Sequence, residues 1–189
     1  MAVTEVSIAN SALVKVGSSL ISDLAEDSRE AQLINAIFEQ ERDATLRDGS
    51  WNFATKRVTL APTATAPTYG YDFAYDLPSD CLKVLPPDLQ HLDYVIENSQ
   101  ILCDVDSLDI AYIYRNTNVT AWDASFAEAF AWRIARSISY ALTQSTQVFA
   151  TCDAGYTKAL SQARFSDGSE GVPRRLTVDA WTSRRRRRG

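Results

Sequence analysis

A single histidine lies between two carboxylates in this chain. His91 is flanked by Asp88 and Asp93, a spacing compatible with a general base and an orienting carboxylate. An enzyme built on imidazole chemistry would depend on this residue. The sequence has no Gly-x-Ser-x-Gly nucleophile motif and neither of the glycine-rich phosphate-binding motifs. We therefore expect a structural or surface role for His91, with no catalytic residue and no cofactor.

Two further groups consist of residue types that bind metals. The acidic string of residues 104–109 resembles a calcium loop, but it lacks the central glycine and the distant glutamate that such a loop needs. The cysteines are odd in number and show no Cys-x-x-Cys spacing, which favours buried thiols in a reducing compartment. These residues are Asp104, Asp106, Asp109, Cys81, Cys103 and Cys152. We expect no metal site.

The charge of the chain is divided between an acidic body and a basic end. Residues 1–171 contain 12 basic and 23 acidic side chains, whereas residues 172–189 contain seven arginines and one aspartate. Such asymmetry indicates a terminal arm that meets an anionic partner. The candidate arm residues, in which apolar anchors alternate with arginines, are Arg174, Arg175, Leu176, Val178, Trp181, Arg184, Arg185, Arg186, Arg187 and Arg188. A disordered tail that only aids solubility, or a processing remnant, is the alternative.

Periodicity predicts helices at both ends of the chain and strands between them. Apolar residues recur at helical spacing near each end, and the middle alternates at period two. A strand with an aromatic face is expected over 69–77, and Asn98-Ser99-Gln100 is expected to form a hairpin turn. The predicted helices are 4–17, 27–47, 123–142 and 146–165, and the other predicted strands are 56–60, 81–85, 94–97, 101–105 and 108–114. The second helix is expected to begin at Asp27 or Ser28, and Asp123 or Ser125 is expected to cap the third. Capping-box spacing is present at Asp27 and Glu30 and again at Ser125 and Glu128.

These elements predict an α+β protein. The expected architecture is a four-helix bundle formed by the N- and C-terminal helix pairs, with an inserted antiparallel β subdomain and an extended C-terminal arm. The predicted boundaries are 1–50, 51–120, 121–166 and 167–189. Hydrophobic residues at 46% and charged residues at 23% are typical of a soluble cytosolic domain, and no membrane span or signal sequence is expected.

Several strings resemble one known family. They begin with Asn10-Ser11-Ala12-Leu13, continue with Trp51-Asn52-Phe53-Ala54 and with residues 75–84, and end with Tyr112-Ile113-Tyr114-Arg115 and Trp122-Asp123. Together they resemble the tail tubular protein A family, the head-to-tail adaptors of short-tailed bacteriophages, over residues 4–166. The motif residues, for which structural roles are expected, are Trp51, Asn52, Phe53, Tyr75, Leu77, Pro78, Asp80 and Trp122.

The resemblance implies a non-enzymatic ring of twelve copies in the virion neck, assembled in the host cytoplasm. Such a ring joins the portal protein to a tail nozzle resembling tail tubular protein B, and DNA passes through its channel without specific binding. The arm would dock on the portal, with Trp181 as its apolar anchor. Another phage neck or head-completion protein, and a DNA-binding factor that uses the arginine tail, are the alternatives.

Overall fold

The computed structural model describes residues 3–85 and 92–170, and these contain four helices and six strands. Three-residue 3-10 turns lie at Asn52–Ala54 and Val119–Ala121. The helices are α1 (Glu5–Val16), α2 (Arg29–Asp48), α3 (Ala124–Thr143) and α4 (Thr146–Ser169), and the strands are β1 (Thr55–Leu60), β2 (Phe73–Asp76), β3 (Cys81–Val84), β4 (Tyr94–Glu97), β5 (Gln100–Cys103) and β6 (Leu108–Tyr114). The chain is thus a mixed α+β protein, as predicted.

Helix α1 begins and ends at residues that satisfy its terminal backbone groups. The Thr4 hydroxyl accepts from the Ser7 amide and the Ser7 hydroxyl accepts from the Thr4 amide, so the two form a capping box. At the other end Gly17 adopts φ +79° and donates its amide to the Leu13 carbonyl. Only glycine enters this left-handed conformation at little cost, which explains why the helix stops there.

Helices α2 and α3 are capped by Ser28 and Asp123, in each case one of the two residues expected at the start, but the capping boxes predicted with Glu30 and Glu128 do not form. Ser28 caps α2 through the Ala31 amide, and Glu30 instead accepts a hydrogen bond from the Ser18 hydroxyl at 2.9 Å. Asp123 caps α3, and Glu128 pairs with Lys15 of α1 at 3.1 Å. Both glutamates therefore join distant segments, a use that spacing alone does not reveal.

Helix α3 packs against each of the other three helices. Its fully buried side chains recur every four residues, at Phe126, Phe130, Ile134 and Ile138. Helix α4 approaches α3 closely at Gly155, where an added Cβ atom would lie 2.5 Å from the Trp132 ring of α3. The α4 helix runs to Ser169, past its predicted end at Phe165, so residues 167–169 of the predicted arm are helical.

The strands form two antiparallel three-stranded sheets. The inner sheet has the order β1-β6-β3 and the outer sheet the order β2-β5-β4. Alternate residues of β6 belong to different cores, because Ile113 packs with the helices whereas Leu108, Ile110 and Tyr112 pack with Tyr75 of the outer sheet. Strand β6 therefore joins the helical core to the sheet core.

The strand predicted over 69–77 is shorter than expected. Strand β2 covers only Phe73–Asp76, and Tyr69 is 87% exposed, because Gly70 turns the chain with φ +92° before the sheet begins. The predicted hairpin turn is confirmed at Asn98 and Ser99, which both have positive φ. Glu97 and Gln100 are paired across it, as in a two-residue hairpin.

Candidate functional site

Three motif residues form an aromatic cluster where the helices meet the inner sheet. The rings of Trp51, Phe53 and Trp122 lie 4.9–5.3 Å from the Phe126 ring of α3, in edge-to-face geometry. Each indole is buried and donates to a backbone carbonyl, Trp51 to Thr45 and Leu46, and Trp122 to Asn116. Buried aromatic pairs with satisfied N–H groups are strong packing determinants. The structural role expected for these three residues agrees with these contacts.

Asn52 connects this cluster to the end of α4. Its amide donates to the Asp167 carboxylate and its side-chain Nδ2 donates to the Asp167 carbonyl, both at 2.8 Å. Burial raises the pKa of Asp167. A cavity of about 300 Å³ lies beside this contact, between Lys83 and Arg164. These two hydrogen bonds therefore fix the last turns of α4 to the helix–sheet junction.

The remaining motif residues shape the connection from β2 to β3. Tyr75 is fully buried and its hydroxyl donates to the Val105 carbonyl. The Leu77 amide donates to the Ser99 carbonyl, and the Pro78 carbonyl accepts from the Cys81 amide, which closes a turn. These contacts hold the outer sheet against the inner one.

Asp80 lies at the end of that turn and accepts from two side chains. Lys56 donates to one carboxylate oxygen at 2.6 Å, and the Tyr112 hydroxyl donates to the other at 3.1 Å. The Lys56 hydrogen bond lowers the pKa of Asp80, and the same contact raises the pKa of Lys56. The carboxylate is therefore ionised at neutral pH and fixes β1 and β6 to the turn.

A polar cluster between α2, α3 and α4 was not predicted from the sequence. Arg133 contacts the carboxylates of Glu41 and Asp48, each at 2.5 Å, and the Tyr156 hydroxyl at 2.7 Å. The Tyr156 hydroxyl in turn donates to Asp48 at 2.6 Å. Burial, together with this hydrogen bond, raises the pKa of Tyr156 to about 12. The i, i+7 spacing of Glu41 and Asp48 on one helix face was the available signal.

The residues considered for metal or nucleophile chemistry form no metal site in the described part of the chain. Asp104 accepts from the Asp72 amide and Asp109 from the Thr59 hydroxyl, and within 3–85 and 92–170 no cluster of metal-binding side chains occurs. Burial raises the pKa of the Cys81 and Cys152 thiols, which are therefore protonated at neutral pH. His91, for which a structural or surface role is expected, and its neighbour Asp88 lie outside the described residues.

The surface on and next to the outer sheet is strongly acidic. The described segments 61–79 and 92–111 contain no lysine or arginine. All of their acidic side chains are exposed, namely Asp72, Asp76, Asp93, Glu97, Asp104, Asp106 and Asp109. We call these seven residues the acidic outer surface. It holds seven of the 23 acidic side chains of residues 1–171, and the exposed Arg57 of the neighbouring strand β1 lies outside these segments.

Several large apolar side chains are exposed on the helices. Tyr140 of α3 and Phe149 of α4 lie on the same side of this antiparallel pair, one turn beyond the ion pair of Arg136 and Asp153, and Phe165 lies farther along α4. Aromatic residues are enriched at subunit interfaces, so these three are candidates for a contact between copies.

The predicted docking arm lies outside the described residues, from Arg174 to Arg188. Of the described helices, none is both long and apolar enough to cross a membrane. No protein-family model matches the sequence, and a search of curated proteins finds no match to it.

Proposed function

We propose that the chain is a non-enzymatic structural subunit of a phage neck, a head-to-tail adaptor. In this proposal twelve copies form a ring that joins the portal to the tail nozzle, and DNA passes through its channel. The acidic outer surface is the observation that carries the proposal. The contacts of the motif residues, described above, are compatible with it.

The acidic outer surface suits a channel wall. Seven exposed carboxylates in each subunit, with no lysine or arginine in the same described segments, repel the phosphates of a passing duplex. Tight Lys and Arg contacts to phosphate would retard passage, because each one releases counterions and adds binding free energy. We therefore place this surface toward the channel.

The helices suit the contacts between neighbouring subunits. A closed ring requires two different, complementary faces on every copy. Helix α3 packs against α1, α2 and α4, and we propose that the four helices together form the predicted bundle. The exposed Tyr140, Phe149 and Phe165 provide apolar contact area on its outside. We propose that the bundle forms the ring body.

The basic arm would provide the contact with the portal. The last described residues follow α4, which Asn52 fixes to the helix–sheet junction, so every arm of a ring would start from an equivalent position. Arginines give charge-assisted and often bidentate contacts to carboxylates. We propose that Arg184–Arg188 contact an acidic face of the portal.

Co-sedimentation with purified portal rings at increasing salt tests this proposal. Replacing Arg184–Arg188 by glutamine should weaken attachment and flatten its salt dependence. An unchanged salt slope would mean that these arginines make no contact. Measurable affinity of the wild-type chain for duplex DNA in moderate salt would instead favour the DNA-binding alternative.

A further inference from the structure

A cavity of about 330 Å³ lies on the side of α2 near the start of α1. Part of its wall is apolar, formed by Leu24, Ala36 and Phe38. Leu24 and Phe38 also pack with the helical core, so this part of the wall is rigid. The volume is at the lower end of the range for ligand pockets, which is sufficient for one large side chain.

The polar part of the wall contains a buried guanidinium. The Arg42 side chain is 6% exposed and its Nε donates to Asp43 at 3.0 Å. Its Nη1 lies 3.9 Å from Glu39, beyond hydrogen-bond distance, and among the described residues no acceptor is bonded to Nη1 or Nη2. Among the described residues no buried side-chain nitrogen lacks a hydrogen-bond partner, so the unused Nη donors are open to the cavity and can donate to an incoming carbonyl oxygen.

The charge of the cavity excludes an anion as its ligand. Asp43 already pairs with Arg42, and the carboxylates of Glu5 and Glu39 also line the cavity. The cavity is therefore negative overall. Its chemistry fits a peptide that presents a large apolar side chain, a free carbonyl and flanking basic residues.

The C-terminal segment of this same chain has that composition. Residues 174–188 place Leu176, Val178 and Trp181 between Arg174-Arg175 and the run Arg184–Arg188. We propose that this segment docks in the α1–α2 cavity of its own chain, with Trp181 on the apolar wall, arginines beside Glu5 and Glu39, and a backbone carbonyl on Arg42.

The length of the chain permits docking within one molecule. Helix α4 ends near the end of α2, because Arg164 donates to the Asp48 carbonyl. Asp48 is about 14 Å along the axis of α2 from Glu39, at 1.5 Å per residue. Residues 170–181 reach up to roughly 40 Å when extended. The tether also keeps the segment at a high effective concentration near the cavity.

Docking of this kind would keep the arm on its own subunit until a portal displaces it. This regulatory consequence rests on the proposed function, whereas the docking itself does not. Assembly would then begin at the portal rather than in solution, because the competing acidic surface of the portal is present only there.

Fluorine NMR of the full chain labelled with 5-fluorotryptophan tests the docking. The chain has four tryptophans, and a Trp181→Phe variant assigns the Trp181 resonance. We expect this resonance to differ from that of a labelled peptide of residues 172–189. Glu39→Lys should move it to the free-peptide position, since the Glu39 side chain is 85% exposed and its replacement leaves the fold intact. Ala36→Phe should do the same by filling the cavity without a change in charge.

Glu97→Lys is the matched control, because Glu97 is exposed on the distant outer sheet. This substitution should leave the Trp181 resonance unchanged. If it moves the resonance as far as Glu39→Lys does, the segment is held only by general charge attraction, and the proposal is overturned. A wild-type resonance at the free-peptide position would also overturn it. A resonance that moves to that position on dilution would assign the segment to a second copy and contradict docking within one chain. No portal is present in these samples, so failure of the adaptor proposal would not affect them.

Discussion

Asn52 and Asp167 are joined by two hydrogen bonds of 2.8 Å, although 115 residues separate them in the sequence. One bond uses the Asp167 carboxylate and the other its backbone carbonyl. The pair connects the start of the β region to the last turns of α4. The position from which the C-terminal segment leaves the body therefore depends on this contact.

Replacement of Asp167 should separate the role of its oxygen from the role of its charge. Asp167→Ala removes the acceptor of the exposed Asn52 amide and should lower the free energy of unfolding by about 0.5–1.5 kcal/mol. Asp167→Asn keeps an acceptor oxygen and removes a charge that burial disfavours, so it should cost less at pH 7. Urea unfolding of both variants measures the difference, and equal losses would contradict the assignment.

The pH dependence of the Asp167 contribution follows from its raised pKa. Because the folded state binds the proton more tightly than the unfolded state, this contribution is complete below the unfolded pKa and is lost as the pH rises through the folded pKa. The wild type should therefore gain stability relative to Asp167→Asn when the pH falls from 7 toward 4. A constant difference between the two proteins would show that Asp167 does not titrate in this way.

Asp80 should contribute in the opposite direction. The Lys56 hydrogen bond lowers its pKa, so its stabilisation is present above the unfolded pKa near 4 and is lost as the pH falls through the folded pKa. Asp80→Asn should lower the free energy of unfolding by on the order of 1 kcal/mol at pH 7. Chemical unfolding at pH 7 and pH 3 tests this, and a loss that is as large at pH 3 would refute the electrostatic explanation.

Tyr156 should remain protonated until strongly alkaline pH. Its pKa is raised to about 12, so its contribution is complete below pH 10 and is lost as the pH rises through 12. Ultraviolet titration of the wild type against Tyr156→Phe isolates its ionisation. The phenylalanine variant should also lose about 1–2 kcal/mol of stability, because Arg133 and Asp48 each lose a hydrogen-bond partner. Ionisation near pH 10 would show that the hydroxyl is exposed.

Two glycines of α4 form a matched pair for packing. A Cβ at Gly155 would lie 2.5 Å from the Trp132 ring, so Gly155→Ala should destabilise the fold by about 1–3 kcal/mol. A Cβ at Gly168 would have no heavy atom within 4 Å beyond its chain neighbours and the adjacent backbone of α4, and Gly168→Ala should stabilise the helix by up to about 1 kcal/mol. Thermal unfolding of the two variants compares them, and a tolerated alanine at 155 would contradict the close packing of α3 and α4.

Local patterns account for much of the fold but not for its long-range contacts. The stripes of α1 and α3 and the turn at Asn98 depend on nearby residues, and the sequence predicts them well. The start of β2 was predicted too early because alternation continues through Gly70, whose backbone turns away from the sheet. Sequence alternation does not report φ, so a prediction based on it could not detect this turn.

Among the site residues, those with a local sequence signal were predicted and those held by long-range contacts were missed. Trp51 and Trp122 were predicted as structural residues, and their burial agrees with that role. The cluster around Arg133 was missed because its carboxylate partners both lie on α2, 85 and 92 positions away in the sequence. Such contacts depend on how α2 packs against α3, which a pattern within either helix does not encode.

Negative-stain imaging of the protein mixed with purified portal rings tests the central proposal most directly. The adaptor proposal predicts closed rings of this protein seated on the portal, with twelve copies and a continuous open channel. Portal rings that remain bare at saturating protein, under conditions where the chain is folded, would contradict it.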